Sequence, residues 1–523
     1  MHILRVLGLA KGNCTAPYNN HFVQELQKMQ TSSETSKIWQ ATTYFSLTAL
    51  TALVLMTWAV TPNQAVGACP TPDGQFPYIK DVEIPFYEDL PFKVVTKRWS
   101  TSAETKSYFD LQKELLNYHR QQGIETTSTA TASVAVLGDL MRIPPNHDEF
   151  VSDAANAFLS SHDMVFGNLE TLIANSYPNP PRFFFQMNSD PALVTAFNRP
   201  DGSSLFTALS TANNHTYDYP DQAILETLEF LDQQGIPHSG VQRSEDEPTL
   251  VIVENNGFKV GFYATTTFVN QAGRLEDTEL FLNRLQGLRP VPNFTWLPVC
   301  ELDFSHITAA LEAMEAAEVD LKIINIHWGY EYEMYPQPLQ MQITRELVAA
   351  GADIIIGAHP HVPQPAEICY VNGAEQQLPE ALRNKQSNSG CNLTDESGEA
   401  RKALIYYSLG NFTSAAPMIW QQFGTLGRFE LSKDTSGKVD WFSPDFEFFY
   451  SDMTTSNILK ADRNLYLLDE YLENNCLSES CPDDILNSAE TLENHHWGPS
   501  LTTAEEIQVI WQNVINAVRE MLL

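Results

Sequence analysis

Histidines, carboxylates and amides recur in this sequence just past short apolar runs, a pattern that suits divalent-metal chemistry. His327 follows the β-branched run Leu321 to Ile326, and His359 and His361 follow a second run, Asp353 to Ile356. Asp139 follows Ser133 to Leu137, Asn168 and Glu170 follow Met164 to Phe166, and Asn213, Asn214 and His215 follow Leu205 to Leu209. Imidazole, carboxylate and amide oxygen together suit zinc, manganese, iron or magnesium. Glu170 or Asp139 could bridge two such ions, an arrangement that activates water near neutral pH, and His215 could protonate a leaving group. Any one of these residues alone reads equally as structural: Asp139 as a turn cap, Asn168 as an Asx-turn. Their recurrence at strand ends is the argument for a site. Trp328 reads as a wall of the pocket or a platform for substrate, and Asn411, after the run Ala403 to Leu409, as a turn or supporting residue.

The elements that must position them are legible around the histidines. Between the His327 and His359 runs, Pro338 can open a helix, Leu339, Ile343 and Leu347 form an apolar stripe, and Gly351 closes it. This is a βαβ unit, and in a parallel sheet residues past the strand carboxyl ends face the crevice where ligands bind. Asn255-Asn256-Gly257 predicts a hairpin between runs at 249–254 and 258–264. Helices are expected at 103–120, 220–234 and 304–318, a surface excursion at 273–303 and an exposed insertion at 375–400. We divide the chain into a leader (1–69), a linker and helix (70–130), a main α/β domain (131–450) and a helical C-terminal extension (451–523).

Composition narrows the function. With 65 acidic and 31 basic residues the formal net charge is −34, which excludes nucleic acid as a partner because no phosphate-neutralising surface is available. An anionic substrate would need local neutralisation, for which a bound metal serves. Residues 44–60 are uncharged and apolar, the length of a signal-peptide core or a tilted anchor, so export to the cell envelope is expected. Met29 is an alternative start, and Cys69 follows small residues that could mark cleavage or lipidation. With 7 cysteines and no CxxC, the chain is no disulfide scaffold and holds no cysteine zinc site, but Cys369/Cys391 and Cys476/Cys481 can pair locally. The signatures of serine hydrolases, phosphate-loop nucleotide binders, dinucleotide enzymes and HExxH proteases are missing.

The motifs Gly138-Asp139, Asn168-Leu169-Glu170-Thr171, Ala212-Asn213-Asn214-His215 with Asp218, His327-Trp328-Gly329 with Glu331, Gly357-Ala358-His359-Pro360-His361-Val362 and Tyr407-Ser408-Leu409-Gly410-Asn411-Phe412 together resemble the CapA/PgsA family of bacterial capsule (poly-γ-glutamate) synthesis proteins over about residues 131 to 430. The resemblance implies a calcineurin-like metallophosphoesterase fold, an αββα sandwich of two mixed sheets flanked by helices. It implies one or two divalent ions held by Asp139, Glu170, Asn214, His327, His359 and His361, with His215 as catalytic acid. Asn168, Asn213, Trp328, Glu331 and Asn411 are then expected to contact substrate or support ligands. Met141 stands where the superfamily's first motif places a histidine, and the bridging position falls to Glu170 or Asn168. The function expected is an exported, membrane-associated protein acting on an anionic polymer or a small anionic substrate, alongside capsule-synthesis membrane proteins. The alternatives are a non-enzymatic scaffold of a polymer-synthesis complex and a secreted metallophosphoesterase.

Overall fold

A computed structural model describes residues 103–475 apart from 124–127, 144–149, 180–185, 272–273, 276, 292–294, 330, 332–334, 415–420 and 454–462. The apolar run at 44–60, Cys69, the Cys476/Cys481 pair and the helical pattern at 504–522 lie outside the described residues. Among the described residues no helix is long and apolar enough to cross a membrane.

The βαβ unit forms as its pattern requires. Leu321–His327 and Ile354–Ala358 pair in parallel, with Ile323 opposite Ile354 and His327 opposite Ala358. The helix between them, Pro338–Ala349, starts with Pro338 in its first turn and a capping box in which Gln337 and Gln340 satisfy each other's backbone groups. It buries Ile343 and Leu347 against the sheet. Such isoleucines and leucines each contribute about 1.5–3 kcal/mol by leaving water.

This unit sits inside a 7-stranded mixed sheet that runs Cys391–Leu393, Ala366–Val371, Arg401–Tyr406, Ile354–Ala358, Leu321–His327, Phe258–Thr266, Val251–Asn255. The last two strands are the predicted hairpin, and Asn256 and Gly257 both take the positive φ its turn demands. An 8-stranded mixed sheet runs Arg463–Leu467, Val439–Met453, Phe423–Lys433, Ala130–Leu140, Met164–Leu169, Ala208–Ser210, His238–Ser239, with Asn411–Thr413 beside the end of Ala130–Leu140.

Val134, Val136, Met164 and Phe166 of the larger sheet share one buried cluster with Phe262, Ile323, Ile354, Ile356 and Leu404 of the smaller, and Phe166 stacks on Phe262 at 5.3 Å. The alternate residues of each sheet face helices. Ala135, Leu137 and Val165 meet Ala155 and Leu159 of Asp153–Ser160, whereas Ile324, Ile326 and Ile355 meet Ile307, Leu311 and Met314 of Ser305–Ala316. The result is a four-layer mixed α/β sandwich.

Several expectations need revision. Gln286–Val291 and Thr295–Asp303 form an antiparallel hairpin in the stretch read as a surface excursion; Pro290 and Pro298 had obscured its alternation. Helix Glu380–Ser389 and strand Cys391–Leu393 order the expected insertion, whereas Cys369 and Cys391 do form the local disulfide expected of them. Residues read as helical near 465 begin as strand Arg463–Leu467, which extends the larger sheet before helix Leu468–Asn475.

The helix Ala103–Arg120 packs Leu111 and Leu115 into the cluster between the sheets and Tyr108 and Phe109 into the outer one. Tyr108 also joins a buried polar network. The Arg345 guanidinium donates to Glu367 Oε2 at 2.7 Å, to Tyr108 Oη at 2.8 Å and to Tyr407 Oη at 3.1 Å, and both tyrosine hydroxyls donate to Glu367.

Candidate metal centre

The strand ends converge at one rim. On the larger sheet, Gly138 lets Ala130–Leu140 approach its neighbour closely: a Cβ there would lie 2.0 Å from Gly410 O. That contact sets Asp139 in register with Asn411 and lets the Asp139 amide donate to Gly410 O at 2.9 Å. The Asp139 carboxylate is buried and accepts from Asn168 Nδ2 at 2.8 Å and from the His359 amide at 3.1 Å.

His359 and His361 carry φ of 96° and 59°. Left-handed backbone at a non-glycine residue costs about 1–3 kcal/mol and is held by its surroundings, commonly at a functional site. Here it aims the His359 amide at Asp139 and brings both imidazoles inward.

Glu170 is the floor of the site. It is fully buried, and His327 Nε2, His361 Nε2 and His215 Nε2 lie 3.6, 3.7 and 3.9 Å from its Oε1. Neither Glu170 oxygen has a hydrogen-bond partner, nor does His359 Nδ1. Burial, followed by the charge of Asp139 and of Glu331 and Asp218, pushes the Glu170 pKa well above the carboxylate range. Burial, then the neighbouring imidazoles, holds His327 and His359 well below 6.5. For His361 burial acts downward, but the hydrogen bond and charge of Asp139, with Glu331 and Asn411, raise it.

The remaining polar residues hold these groups in place. Asn214 Oδ1 lies 2.9 Å from His327 Nε2, and Asn168 Nδ2 lies 3.3 Å from its Nδ1. Asn411 Oδ1 accepts from His361 Nδ1 at 2.9 Å. Asn213 braces the loop, donating to Leu169 O and accepting the His215 amide. Trp328 does not reach the cluster: its ring is buried in the outer apolar layer, stacked on Tyr407, and its Nε1 donates to Tyr407 O at 3.0 Å. The alternation of the strand end turns His327 and Trp328 to opposite faces. Glu331 is exposed, with a carboxylate oxygen near His359 and His361.

Three residues went unassigned in the sequence. Asp218, quoted with the His215 motif but given no role there, has its Oδ2 2.6 Å from His215 Nδ1. Asn270, whose amide donates to Asn214 O at 2.8 Å, and Phe268, edge-on to His359 at 4.7 Å, arrive from a loop with no sequence signal.

The donor set fits a divalent ion. Its atoms fall into overlapping groups, Asp139/Glu170/His361 and Glu170/His327/His359, each within 4.8 Å. A buried carboxylate with both oxygens unsatisfied is costly in a folded protein, and a cation would satisfy it. The His327 and His359 imidazoles, held neutral, keep the lone pair that ligation requires.

A layered α/β sandwich with buried imidazoles and carboxylates gathered at one rim is the framework of a candidate divalent-metal protein. Residues 117–416 match the family described as bacterial capsule synthesis protein PGA_cap, and the chain belongs to that family. It is similar to the PGA biosynthesis protein CapA of Bacillus subtilis (strain 168), 26% identical over 332 residues that cover 61% of this chain and 72% of that one. It is also similar to the capsule biosynthesis protein CapA of Bacillus anthracis, 27% identical over 208 residues, 40% of each chain. A solved structure described as a novel phosphatase from Mycoplasma pneumoniae aligns over 66% of this chain and 97% of its own, at 11% identity and a TM-score of 0.31, a likeness too slight to carry an argument.

Proposed function

We propose that this chain acts in the cell envelope on an anionic capsule polymer of the poly-γ-glutamate type, in its synthesis, attachment or export, through a divalent-metal centre that hydrolyses a γ-glutamyl, peptide-type or phosphoester bond. Buried Glu170, ringed by His215, His327 and His361 with both oxygens unsatisfied, carries this reading. Membership of the capsule synthesis family supports the polymer, the apolar run at 44–60 supports export, and the buried Cys369–Cys391 disulfide suits an oxidising compartment.

Asp139, Glu170 and His361 would hold one ion and Glu170, Asn214, His327 and His359 a second. A divalent ion there supplies Lewis acidity and neutralises an anionic substrate against the chain's own negative charge. The chain's residues do the rest. Asp218 accepts the Nδ1 proton of His215 and so fixes its tautomer, which leaves Nε2 directed at the cluster to hold or deliver a proton to a leaving amine or alcohol. Asn168, Asn213 and Asn411 keep Asp139, the His215 loop and His361 from turning away.

Metal content of the purified chain tests the proposal, measured by mass spectrometry beside a variant with Asp139, His327 and His361 changed to alanine. One or two transition metals per chain, lost in the variant, are expected. Folded protein that takes up no metal would overturn the hydrolase reading and move the role to a scaffold of the polymer-synthesis machinery, which Met141 in place of a nitrogen ligand also favours.

A further inference from the structure

The donor groups of the centre are unequal. On one side Glu170, His327 and His359 are joined by the Asn214 amide oxygen, 2.9 Å from His327 Nε2. On the other, no fourth histidine, cysteine or carboxylate among the described residues joins the buried Asp139, Glu170 and His361, and the nearby Asn411 amide oxygen accepts from His361 Nδ1 at 2.9 Å. Manganese, zinc and iron take at least four ligands. Met141, two residues past Asp139, brings only a thioether, a soft donor unsuited to these ions.

The deficit coincides with a carboxylate from another direction. Gly329, two residues past His327, takes φ +85°, and a Cβ on it would meet the Gln340 side chain at 2.7 Å, so this position favours glycine. Two residues later Glu331 offers an oxygen that shares a 4.8 Å sphere with ligand nitrogens of His359 and His361, one from each donor group. Glu331 is exposed while Glu170 is fully buried, so the two carboxylates reach the cluster from solvent and from the interior respectively.

We propose that Glu331 is a metal ligand, closing the Asp139/Glu170/His361 side of the centre from solvent and supplying the donor that Met141 does not. The inference rests on the reading of the cluster as a metal centre. It assigns to an exposed loop residue the occupancy of one of two positions, so the chain holds its second ion through a group that solvent and substrate can reach. An anionic substrate entering the centre meets this carboxylate first and competes with it for the ion. Ligation of hard ions by water-accessible carboxylates is ordinary chemistry.

The test is manganese(II) binding by the full chain, followed by calorimetry and by metal content after dialysis, for the native protein, Glu331→Gln and Asp139→Asn. Because Glu331 is exposed, the Gln variant keeps its fold, which circular dichroism checks. Two manganese ions are expected in the native chain. Glu331→Gln should retain one and bind the other at least tenfold more weakly, with Glu331→Asp in between, and Asp139→Asn should weaken the same position. Two ions at native affinity in Glu331→Gln would overturn the assignment and leave the metal centre intact. No uptake by the native chain would overturn the metal centre itself, and Glu331's role with it.

Discussion

Arg345 and Glu367 offer a quantitative test of how the scaffold behind the centre is held. Both are buried, and Glu367 is bonded by the guanidinium and by the hydroxyls of Tyr108 and Tyr407. Burial acts to lower the Arg345 pKa, but Glu367 and the two tyrosines outweigh it and raise it, so the guanidinium stays charged at any working pH. Removing one partner strands the other charge in the apolar layer, at a cost of about 3–5 kcal/mol. Against the roughly 5–15 kcal/mol that stabilises a domain, this is a large fraction. Arg345→Met and Glu367→Leu should each cost this much in urea unfolding followed by near-ultraviolet circular dichroism. The double variant should cost no more than either single, a coupling of at least about 3 kcal/mol. Tyr108→Phe, which loses one arm of the network, should cost about 1 kcal/mol. Single variants within about 1 kcal/mol of native, or a double equal to the sum of its parts, would refute the argument that this is one interlocked unit.

Three further outcomes follow from the structure. Replacing Cys369 and Cys391 with serine removes a link across a sequence separation of 22 and should cost about 3 kcal/mol in the same unfolding experiment. His119 lies against Tyr370 and Trp441, and burial, with Lys402 adding, lowers its pKa to about 3. The unfolded chain therefore binds a proton below about pH 6.5 that the folded chain refuses until about 3. The neutral side chain's contribution is complete above that window and is lost as pH falls, by up to about 1.4 kcal/mol per unit; the urea midpoint of His119→Gln should depend less steeply on pH between 7 and 5. Under the proposed function, Asp218→Asn should lower hydrolysis of poly-γ-glutamate, followed as released amine, by roughly two to four orders of magnitude with metal content unchanged; a parallel loss of metal would show that Asp218 acts on the centre's assembly instead of on His215.

The β-branched runs ending in His327 and His359 and the Asn256-Gly257 turn were legible because each concentrates its signal within a few residues. The convergence of Asp139, Glu170, His215, His327, His359 and His361 followed from strand direction alone. What local pattern could not show was side-chain direction and long-range arrival. Trp328 borders a ligand in sequence, yet strand alternation sends it to the opposite face, where Tyr407 covers it. Asn270 and Phe268 come from the loop after Phe258–Thr266 and meet the site only because that strand pairs with the His327 strand. The strand Arg463–Leu467 mimics a helix because Leu465, Leu468 and Leu472 also fall at helical spacing.

Asp139, Glu170 and His215 lie in or just past strands of one sheet, and His327, His359 and His361 in or just past strands of the other. The bond from the His359 amide to the Asp139 carboxylate crosses this seam. The centre is thus a caliper reading of the gap between two layers, and the filler of that gap, Phe166 on Phe262 among its members, sets the reading. A methylene gained or lost there, far from any reacting atom, moves every donor on one jaw relative to every donor on the other. The interior of this protein therefore has less freedom to drift than an ordinary core, because a substitution that folding would tolerate is still registered at the rim.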